Sequence, residues 1–299
     1  MNTSLIAEIQ KAFKQGNSLT KIVLINCAVF LIVNITNLLF YLFAADPTTH
    51  LNLIKWLAVP ADWKQLLFHK PWTLITYMFL HEGFFHILSN MIMLYFGGQL
   101  FIEYLGEKKF TSTYFFGGIA GALLYILVFN IFPVFSDRTS NSIALGASAS
   151  VLAVFVAVAT YLPNFTVNLI LLGTVRLKFI ALFLVILDLI SIDKGNPGGH
   201  IAHLGGAMYG YFAMTQLRKG RDIASPFDTL LMKLKQLVNR KKVSNLKVAH
   251  KKAKSDEAYR AAKKSKQEAI DLILDKISKS GYESLTAQEK EELFKMSKE

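Results

Sequence analysis

The sequence contains a single cysteine in 299 residues, which excludes stabilisation of the fold by an intramolecular disulfide. Cys27 has no second cysteine with which to form an intramolecular disulfide, so cysteine usage says nothing about the redox compartment. Because Cys27 lies inside an apolar run, we interpret it as a small side chain that faces lipid or a neighbouring helix.

Three other patterns are missing. No segment repeats with a period of about 20–50 residues, so a solenoid is not indicated. His81, His86 and His203 lack a carboxylate or third ligand at the spacing of a zinc protease motif, and we therefore expect no metal ion and no other cofactor. The lysines are not accompanied by an aromatic platform or a recognised nucleic-acid-binding module, so nucleic acid is not an expected partner.

Apolar residues, by contrast, are abundant. They make up 53% of the chain, and the mean hydropathy is +0.36, values that favour a membrane protein over a soluble domain of this size. A membrane-spanning helix needs about 20 mostly apolar residues. We therefore predict an all-α, polytopic bundle of six transmembrane helices, at about 21–44, 79–104, 110–133, 147–163, 176–193 and 200–217.

Basic residues predict the orientation of this bundle. The formal net charge is +12, and most of the 33 Lys and Arg residues follow Arg218. Six spans put both termini on one side, and the loops on that side carry more Lys and Arg than the loops opposite. The positive-inside rule therefore places both termini in the cytoplasm. The first apolar run, 22–45, is about twice as long as a signal-peptide core, so we interpret it as a retained span.

The pattern divides the chain into a cytoplasmic segment (1–20), a membrane domain (21–217) and a basic cytoplasmic tail (218–299). Near the end of the tail, apolar residues recur at helical spacing, Gly281 is suited to end a helix, and Thr286 with Glu289 has capping-box spacing. These signals predict a helical hairpin over 268–297. The basic charge of the tail also predicts attraction to anionic lipids, worth about 1 kcal/mol per basic residue near the surface.

Polar side chains occur at one depth of three predicted spans: His81, His86 and Asn90 in the second, Ser148 at the start of the fourth, and His203 near the start of the sixth. These spans run inward from the outer face, so the five residues lie within about 15 Å of it. Each alone has a structural explanation, such as a hydroxyl bonded to its own helix or a histidine bonded between helices. Their coincidence favours a functional site.

The chemistry of these side chains points to acyl transfer. A serine hydroxyl becomes nucleophilic when a base accepts its proton, and neutral histidine suits that role near neutral pH. We therefore assign Ser148 as nucleophile and His203 as general base. Asn90, His86 and the backbone N–H of Ser148 are candidate donors to the oxyanion, and Gly146 permits the tight loop that exposes this helix end.

Small residues suggest how the two catalytic helices approach each other. Gly206 and Gly210 form a G-x-x-x-G face below His203, and Ala149 and Ala153 repeat at the same spacing in the fourth span. Close packing of these faces would bring the serine oxygen and a histidine nitrogen to about 3 Å.

The order and spacing of these residues resemble the rhomboid intramembrane serine proteases. The resemblance covers about residues 60–215 and rests on Trp72, His81-x4-His86-x3-Asn90, the Gly97-Gly98 and Leu105-Gly106 turn, Gly146-x-Ser148, and Ala202-His203-x2-Gly206-x3-Gly210. It implies a six-helix core, a serine–histidine dyad without a required acid, and an oxyanion hole supplied partly by His86 and Asn90. It also implies cleavage of single-span membrane proteins near the outer face, with His81 tying down the first loop.

Three positions depart from the family pattern. Ala149 follows the nucleophile where many rhomboids have glycine, Thr73 follows the loop tryptophan where many have arginine, and Leu152 stands where some have an aromatic that stacks on the histidine. The sequence thus leaves open what orients the imidazole of His203. Asp188 lies at the right depth, but a helix-end carboxylate that reaches the interface is the simpler interpretation.

The sequence therefore predicts an intramembrane serine endopeptidase of a bacterial cytoplasmic (inner) membrane, with single-span membrane proteins as substrates and the bilayer as partner. The alternative is a non-catalytic rhomboid-like chaperone that binds transmembrane helices, although inactive relatives usually lack the serine or the histidine that this chain retains. A transporter would show broken helices and inverted repeats, which are not evident. The oligomeric state does not follow from the sequence.

Overall fold

Helices run through all six apolar stretches of the sequence. The computed structural model describes residues 4–43, 49–169, 173–224 and 256–296. Two compact units divide the chain, at residues 1–238 and 239–299. The long helices of the first unit are α1 (Leu5–Gln15), α2 (Ser18–Phe43), α6 (Phe84–Leu105), α7 (Glu107–Ile131), α8 (Ser148–Tyr161), α9 (Leu177–Ile190) and α10 (Pro197–Arg218).

Short elements fill the loop between α2 and α6: α3 (Thr49–Leu57), β1 (Val59–Pro60), α4 (Trp63–His69), α5 (Thr73–Thr76) and a 3-10 turn at Tyr77–Phe79. Strand β1 pairs antiparallel with β2 (Ile143–Ala144), which immediately precedes α8. The remaining strands, β3 (Thr166–Leu169) and β4 (Gly173–Arg176), form an antiparallel pair before α9. The β1–β2 pairing thus ties the first loop to the segment that leads into α8.

Three of the described helices, α2, α6 and α7, are long and apolar enough to cross a membrane. Helix α8 is apolar but has only 14 residues, which corresponds to about 21 Å. Every residue of α8 from Ala149 to Ala159 is buried, because α6, α7, α9 and α10 all pack against it. The structure is therefore a helical membrane bundle with α8 at its centre, and the count of six spans stays a prediction.

The contact between α8 and α10 depends on glycine. A β-carbon at Gly206 would overlap the carbonyl oxygen of Ala149, and one at Gly210 would overlap that of Ala153. A β-carbon at Gly121 of α7 would lie 2.7 Å from both the Ala149 β-carbon of α8 and the Ala202 carbonyl oxygen of α10. The small-residue faces predicted from the sequence do pack together, and backbone meets backbone along the α8–α10 contact.

Substitution at this contact should destabilise the bundle. Gly206→Ala places a methyl group against backbone that cannot move aside, at a cost of about 1–3 kcal/mol. We expect a lower thermal midpoint in detergent. Gly83→Ala is the matched control, because its β-carbon would meet nothing within 4 Å and its φ of −130° suits alanine. Equal midpoints for the two variants would show that the α8–α10 approach is not tight.

The prediction that His81 lies inside the second span is wrong. Helix α6 begins at Phe84, and Gly83 at its amino-terminal cap is extended. The chain before it is also extended at Leu80, which is buried with Val33 and Ala58 in a small apolar cluster. Burial of Leu80 in this cluster holds the segment away from the axis of α6, so His81 belongs to the loop.

The second unit contains α11 (Asp256–Ser280), a 3-10 turn at Tyr282–Ser284 and α12 (Ala287–Met296). Gly281 adopts a φ of +78° just after α11 and ends it, as predicted. The predicted capping box is also present: the Thr286 N–H donates to Glu289 Oε2 at 2.7 Å, and the Glu289 N–H donates to Thr286 Oγ1 at 3.4 Å. Ile273 of α11 and Leu285, which precedes α12, are buried. The basic stretch over 233–266, whose composition predicts a solvated helix, lies outside the described residues as far as residue 255.

The capping box should make the tail hairpin sensitive to acid. The Lys276 ammonium beside Glu289, followed by the Thr286 N–H and hydroxyl, lowers the pKa of this carboxyl from 4.5 to about 2. Because the folded pKa is depressed, the stabilisation is fully present above about pH 4.5 and is lost as the pH falls through about 2. Hydrogen exchange of the full-length protein should show greater protection of α12 in wild type than in Glu289→Gln at pH 6, with convergence near pH 2.

Glu268→Gln is the control for this comparison, since Glu268 is an exposed carboxylate of α11 that lies 3.9 Å from Lys264. We expect little change in α12 protection for this variant. An equal loss of protection in both variants would contradict a specific role for the cap.

Candidate active site

The predicted nucleophile stands at the first residue of α8. Gly146, with a φ of +133°, turns the chain from β2 into the helix, and its N–H donates to the Tyr77 carbonyl at 2.9 Å. Only glycine adopts this backbone conformation without strain. Ser148 follows two residues later and is partly exposed, whereas the next residues of α8 are buried. The backbone N–H of Ser148 therefore lies among the free N–H groups of a helix start.

The predicted base contacts this serine. His203 lies in the second turn of α10, a helix that begins with Pro197 and is capped by Asn196, whose side chain accepts from the Gly199 N–H at 3.0 Å. The His203 Nε2 atom lies 2.6 Å from Ser148 Oγ. The two residues that sequence reasoning assigned to nucleophilic chemistry are thus brought within hydrogen-bond distance by the α8–α10 packing.

A carboxylate lies on the other side of the imidazole. Asp188 of α9 places Oδ1 2.8 Å from His203 Nδ1. An ionised carboxylate only accepts hydrogen bonds, so Nδ1 carries the proton and Nε2 presents its lone pair to the serine hydroxyl. Of the two interpretations of Asp188 left open by the sequence, the geometry agrees with the one in which it orients His203.

A second histidine contacts the same carboxylate oxygen. His200 Nδ1 lies 2.8 Å from Asp188 Oδ1, on the face of α10 shared with His203. Sequence reasoning missed His200, although its i, i+3 spacing to His203 was a signal that the two side chains are neighbours.

The ligand atoms of Asp188, His200 and His203 all lie within 4.8 Å of one another, the geometry of a potential metal site. Each histidine is already within hydrogen-bond distance of the carboxylate, so hydrogen bonding is sufficient to hold the three groups together.

Of the predicted oxyanion donors, His86 lies beside the serine, and Asn90 lies further along α6. A β-carbon on Gly146 would stand 3.2 Å from His86 Nε2 and 3.3 Å from Ser148 Oγ, so these two groups border the same small space. Asn90 is buried one turn further along α6, where its side-chain amide donates to the His86 carbonyl at 2.9 Å. The loop residue His81 is buried with its ring edge-on to that of His86, at a centroid distance of 5.0 Å.

The first loop is anchored without the arginine of the family pattern. The Trp72 ring stacks on that of Trp56 at 5.8 Å, and its Nε1–H donates to the Trp56 carbonyl at 2.9 Å. Thr73 is buried, and its hydroxyl donates to the Lys70 carbonyl at 2.7 Å. Ring stacking and hydrogen bonds from side chains to backbone carbonyls therefore hold this loop together.

Comparison with known proteins agrees with this architecture. The fold and the site define a class of protein: helical membrane bundles in which a serine and a histidine make contact at the starts of two packed helices. The Rhomboid domain matches residues 69–220, just over half of the chain. The chain belongs to the rhomboid family. Residues 254–299 match a second family, described as a family of unknown function (DUF6576).

Several curated relatives share part of the chain. It is 32% identical over 158 residues to RHOMBOID-like protein 12, mitochondrial, from Arabidopsis thaliana, covering 50% of this chain and 47% of that protein. It is 30% identical over 135 residues to Presenilin-associated rhomboid-like protein A, mitochondrial, from Danio rerio, covering 44% and 34%. It is 28% identical over 110 residues to Inactive RHOMBOID-like protein 8 from Arabidopsis thaliana, covering 37% and 30%. The chain therefore spans about a third to a half of the length of these relatives.

Filling the space over Gly146 should block the site. Gly146→Ala puts a methyl group between the His86 ring and the Ser148 hydroxyl, so we expect labelling by a fluorophosphonate probe to slow at least about tenfold. Gly220→Ala is the matched control, because it also carries a positive φ, of +78°, but its β-carbon would meet nothing within 4 Å. Both variants are strained, and the strain is larger at Gly146 because its φ of +133° lies outside the left-handed region that alanine can enter. The labelling rates are therefore compared on preparations shown to be folded. Equal labelling rates would show that this space is not used.

Proposed function

We propose that the protein is an intramembrane serine endopeptidase that hydrolyses peptide bonds in the transmembrane helices of other membrane proteins. The observation that carries this proposal is the 2.6 Å contact between Ser148 Oγ and His203 Nε2. A serine without a base is a weak nucleophile, and this contact supplies the base in a geometry suited to proton transfer.

The proposed reaction has two stages. Ser148 Oγ attacks the scissile carbonyl carbon while His203 Nε2 accepts the hydroxyl proton, and the resulting tetrahedral intermediate carries its negative charge on the former carbonyl oxygen. The intermediate collapses when the imidazolium gives this proton to the leaving amine. Water then attacks the acyl-enzyme with His203 again acting as base, which releases the carboxylic acid and restores the serine hydroxyl.

The oxyanion is assigned to donors near the starts of α8 and α6. The Ser148 N–H belongs to a helix start, where unpaired N–H groups and the helix dipole favour negative charge. His86 borders the same space through its Nε2 edge. Asn90 donates one amide hydrogen to the His86 carbonyl, and its second amide hydrogen is the one proposed for the oxyanion.

The membrane setting determines the proposed substrates. The apolar helices and the family make this a membrane protein. We propose that the site opens toward the outer face of a bacterial cytoplasmic membrane, with both termini in the cytoplasm, and that it cleaves single-span proteins whose helices unwind near that face. The basic tail is proposed to contact anionic lipids on the cytoplasmic side of the membrane. Two of the relatives are named mitochondrial, so this location is tested separately from the chemistry.

A non-catalytic role in binding transmembrane helices is the second candidate, and the similarity to a relative named inactive favours it. The two functions make opposite predictions for the serine. A chaperone does not require the Ser148–His203 contact, whereas a protease depends on it.

Probe labelling of the purified protein in detergent decides between them. Wild type should react with a fluorophosphonate, and Ser148→Ala and His203→Ala should lose at least about a thousandfold in labelling rate and in cleavage of a transmembrane substrate. Ser150→Ala is the matched control: Ser150 is buried two residues further along α8 and should leave the rate unchanged. Cleavage by Ser148→Ala at the wild-type rate would rule out the protease; binding of the helix without cleavage by wild type would support the chaperone.

A further inference from the structure

We infer that Asp188 and His200 are positioning residues that act as a pair on the catalytic histidine, an inference that rests on the proposed protease function. Asp188 would hold His203 in the reactive tautomer, and His200 would hold Asp188. The site would then operate as a Ser–His–Asp arrangement with a second histidine behind the acid, in place of a serine–histidine dyad alone.

The carboxylate is shared between two imidazoles. Asp188 Oδ1 lies 2.8 Å from the Nδ1 atoms of both His200 and His203, and the Asp188 side chain is only 12% exposed. The two histidine side chains are about one quarter exposed. Because both donors converge on a single oxygen, that oxygen cannot turn away from His203 without also breaking its bond to His200.

Burial explains why the acid needs two partners. Asp188 is the one carboxylate of α9, a helix whose other side is covered with exposed apolar residues such as Leu182, Ile186 and Leu189. A carboxylate among apolar helices is costly unless donors satisfy it. His200 supplies a donor that plays no part in the reaction. The carboxylate therefore keeps one hydrogen bond while His203 gains and loses a proton during turnover.

The position of Asp188 also links α9 to the site. Both histidines lie on α10, one turn apart, and the acid comes from the neighbouring helix. The hydrogen bond to His200 therefore fastens the end of α9 to α10 at the level of the catalytic histidine. His203 does not have the aromatic neighbour that stacks on this residue in some rhomboids, since Leu152 stands there, and the carboxylate supplies orientation instead.

The test is a double-mutant cycle in the full-length protein in detergent, read as fluorophosphonate labelling rate and as separate kcat and KM for a transmembrane substrate. Asp188→Ala should lower kcat about a hundredfold, within the range of general-base catalysis, and leave KM unchanged. His200→Ala should lower it about tenfold, as expected for a lost hydrogen bond. Because His200 acts through Asp188, the double variant should be no slower than Asp188→Ala.

Variants of matched shape separate positioning from folding. Asp188→Asn keeps the volume, but its amide NH2 can donate to Nδ1 of His203 and so favour the tautomer whose Nε2 carries the proton. It should therefore fold with a thermal midpoint near that of wild type and still lower kcat at least about tenfold. Asp188→Glu should recover part of the loss relative to Asp188→Ala. Asp193→Asn, an exposed acid in the loop after α9, and His69→Ala, an exposed histidine of the first loop, are the controls and should match wild type.

Three results would overturn the inference. Asp188→Asn with wild-type kcat would remove the acid from the mechanism, and full additivity of Asp188→Ala and His200→Ala would make their effects independent. Loss of wild-type labelling after treatment with EDTA would mean that the three ligand atoms hold a metal ion. Absence of Ser148-dependent labelling in wild type would instead refute the proposed function itself, and the inference with it.

Discussion

The close approach of α8 and α10 is the constraint on which the rest of the site depends. Gly206 and Gly210 leave no side chain between the helices, so the backbone of α10 rests on the carbonyl oxygens of Ala149 and Ala153. Ser148 and His203 stand near the amino-terminal ends of these two helices, and their 2.6 Å contact follows from the distance between the helix axes. Any larger residue at the glycines would separate the pair, although neither glycine takes part in the chemistry.

Burial of α8 has a second consequence, for the placement of polar groups. The helix is surrounded by α6, α7, α9 and α10. The hydroxyl of Ser148, which belongs to the site, lies at the end of the helix and not in its middle. Polar atoms among apolar helices are stable when they satisfy one another. The run of contacts from Ser148 through His203 and Asp188 to His200 does this with three short hydrogen bonds. The proposed chemistry and the stability of the helix ends therefore depend on the same atoms.

Much of the fold could be predicted from local sequence signals. Apolar runs gave the long helices to within a few residues, and the tail hairpin followed from Gly281 and the Thr286–Glu289 box, because capping depends on residues three positions apart. The predicted start of the second span, at residue 79, was wrong, because α6 begins at Phe84. Hydropathy does not distinguish an apolar loop from an apolar helix, and burial of Leu80 with Val33 and Ala58 is a long-range contact.

The candidate site was predictable in a similar, partial way. Ser148 and His203 stood out because polar residues at the heads of apolar spans are costly without a function. Asp188 had the right depth, but depth does not reveal which face of α9 meets α10. His200 was not singled out, since a histidine at the start of a helix usually faces solvent or headgroups, and its partner lies 12 residues earlier on another helix.

The sequence by itself determined the approximate bounds of the long apolar helices, the small-residue faces, the caps of the tail, and the residue types able to form a nucleophile and a base. These properties depend on interactions within a few residues or on transfer from water to an apolar phase, which composition and spacing express directly. Only the tertiary structure decided that His203 lies between Ser148 and Asp188, that His200 shares the acid, and that His81 belongs to a loop. Those outcomes depend on the rotation and approach of whole helices, and the physical reason is that packing is decided jointly by all of the surfaces in contact.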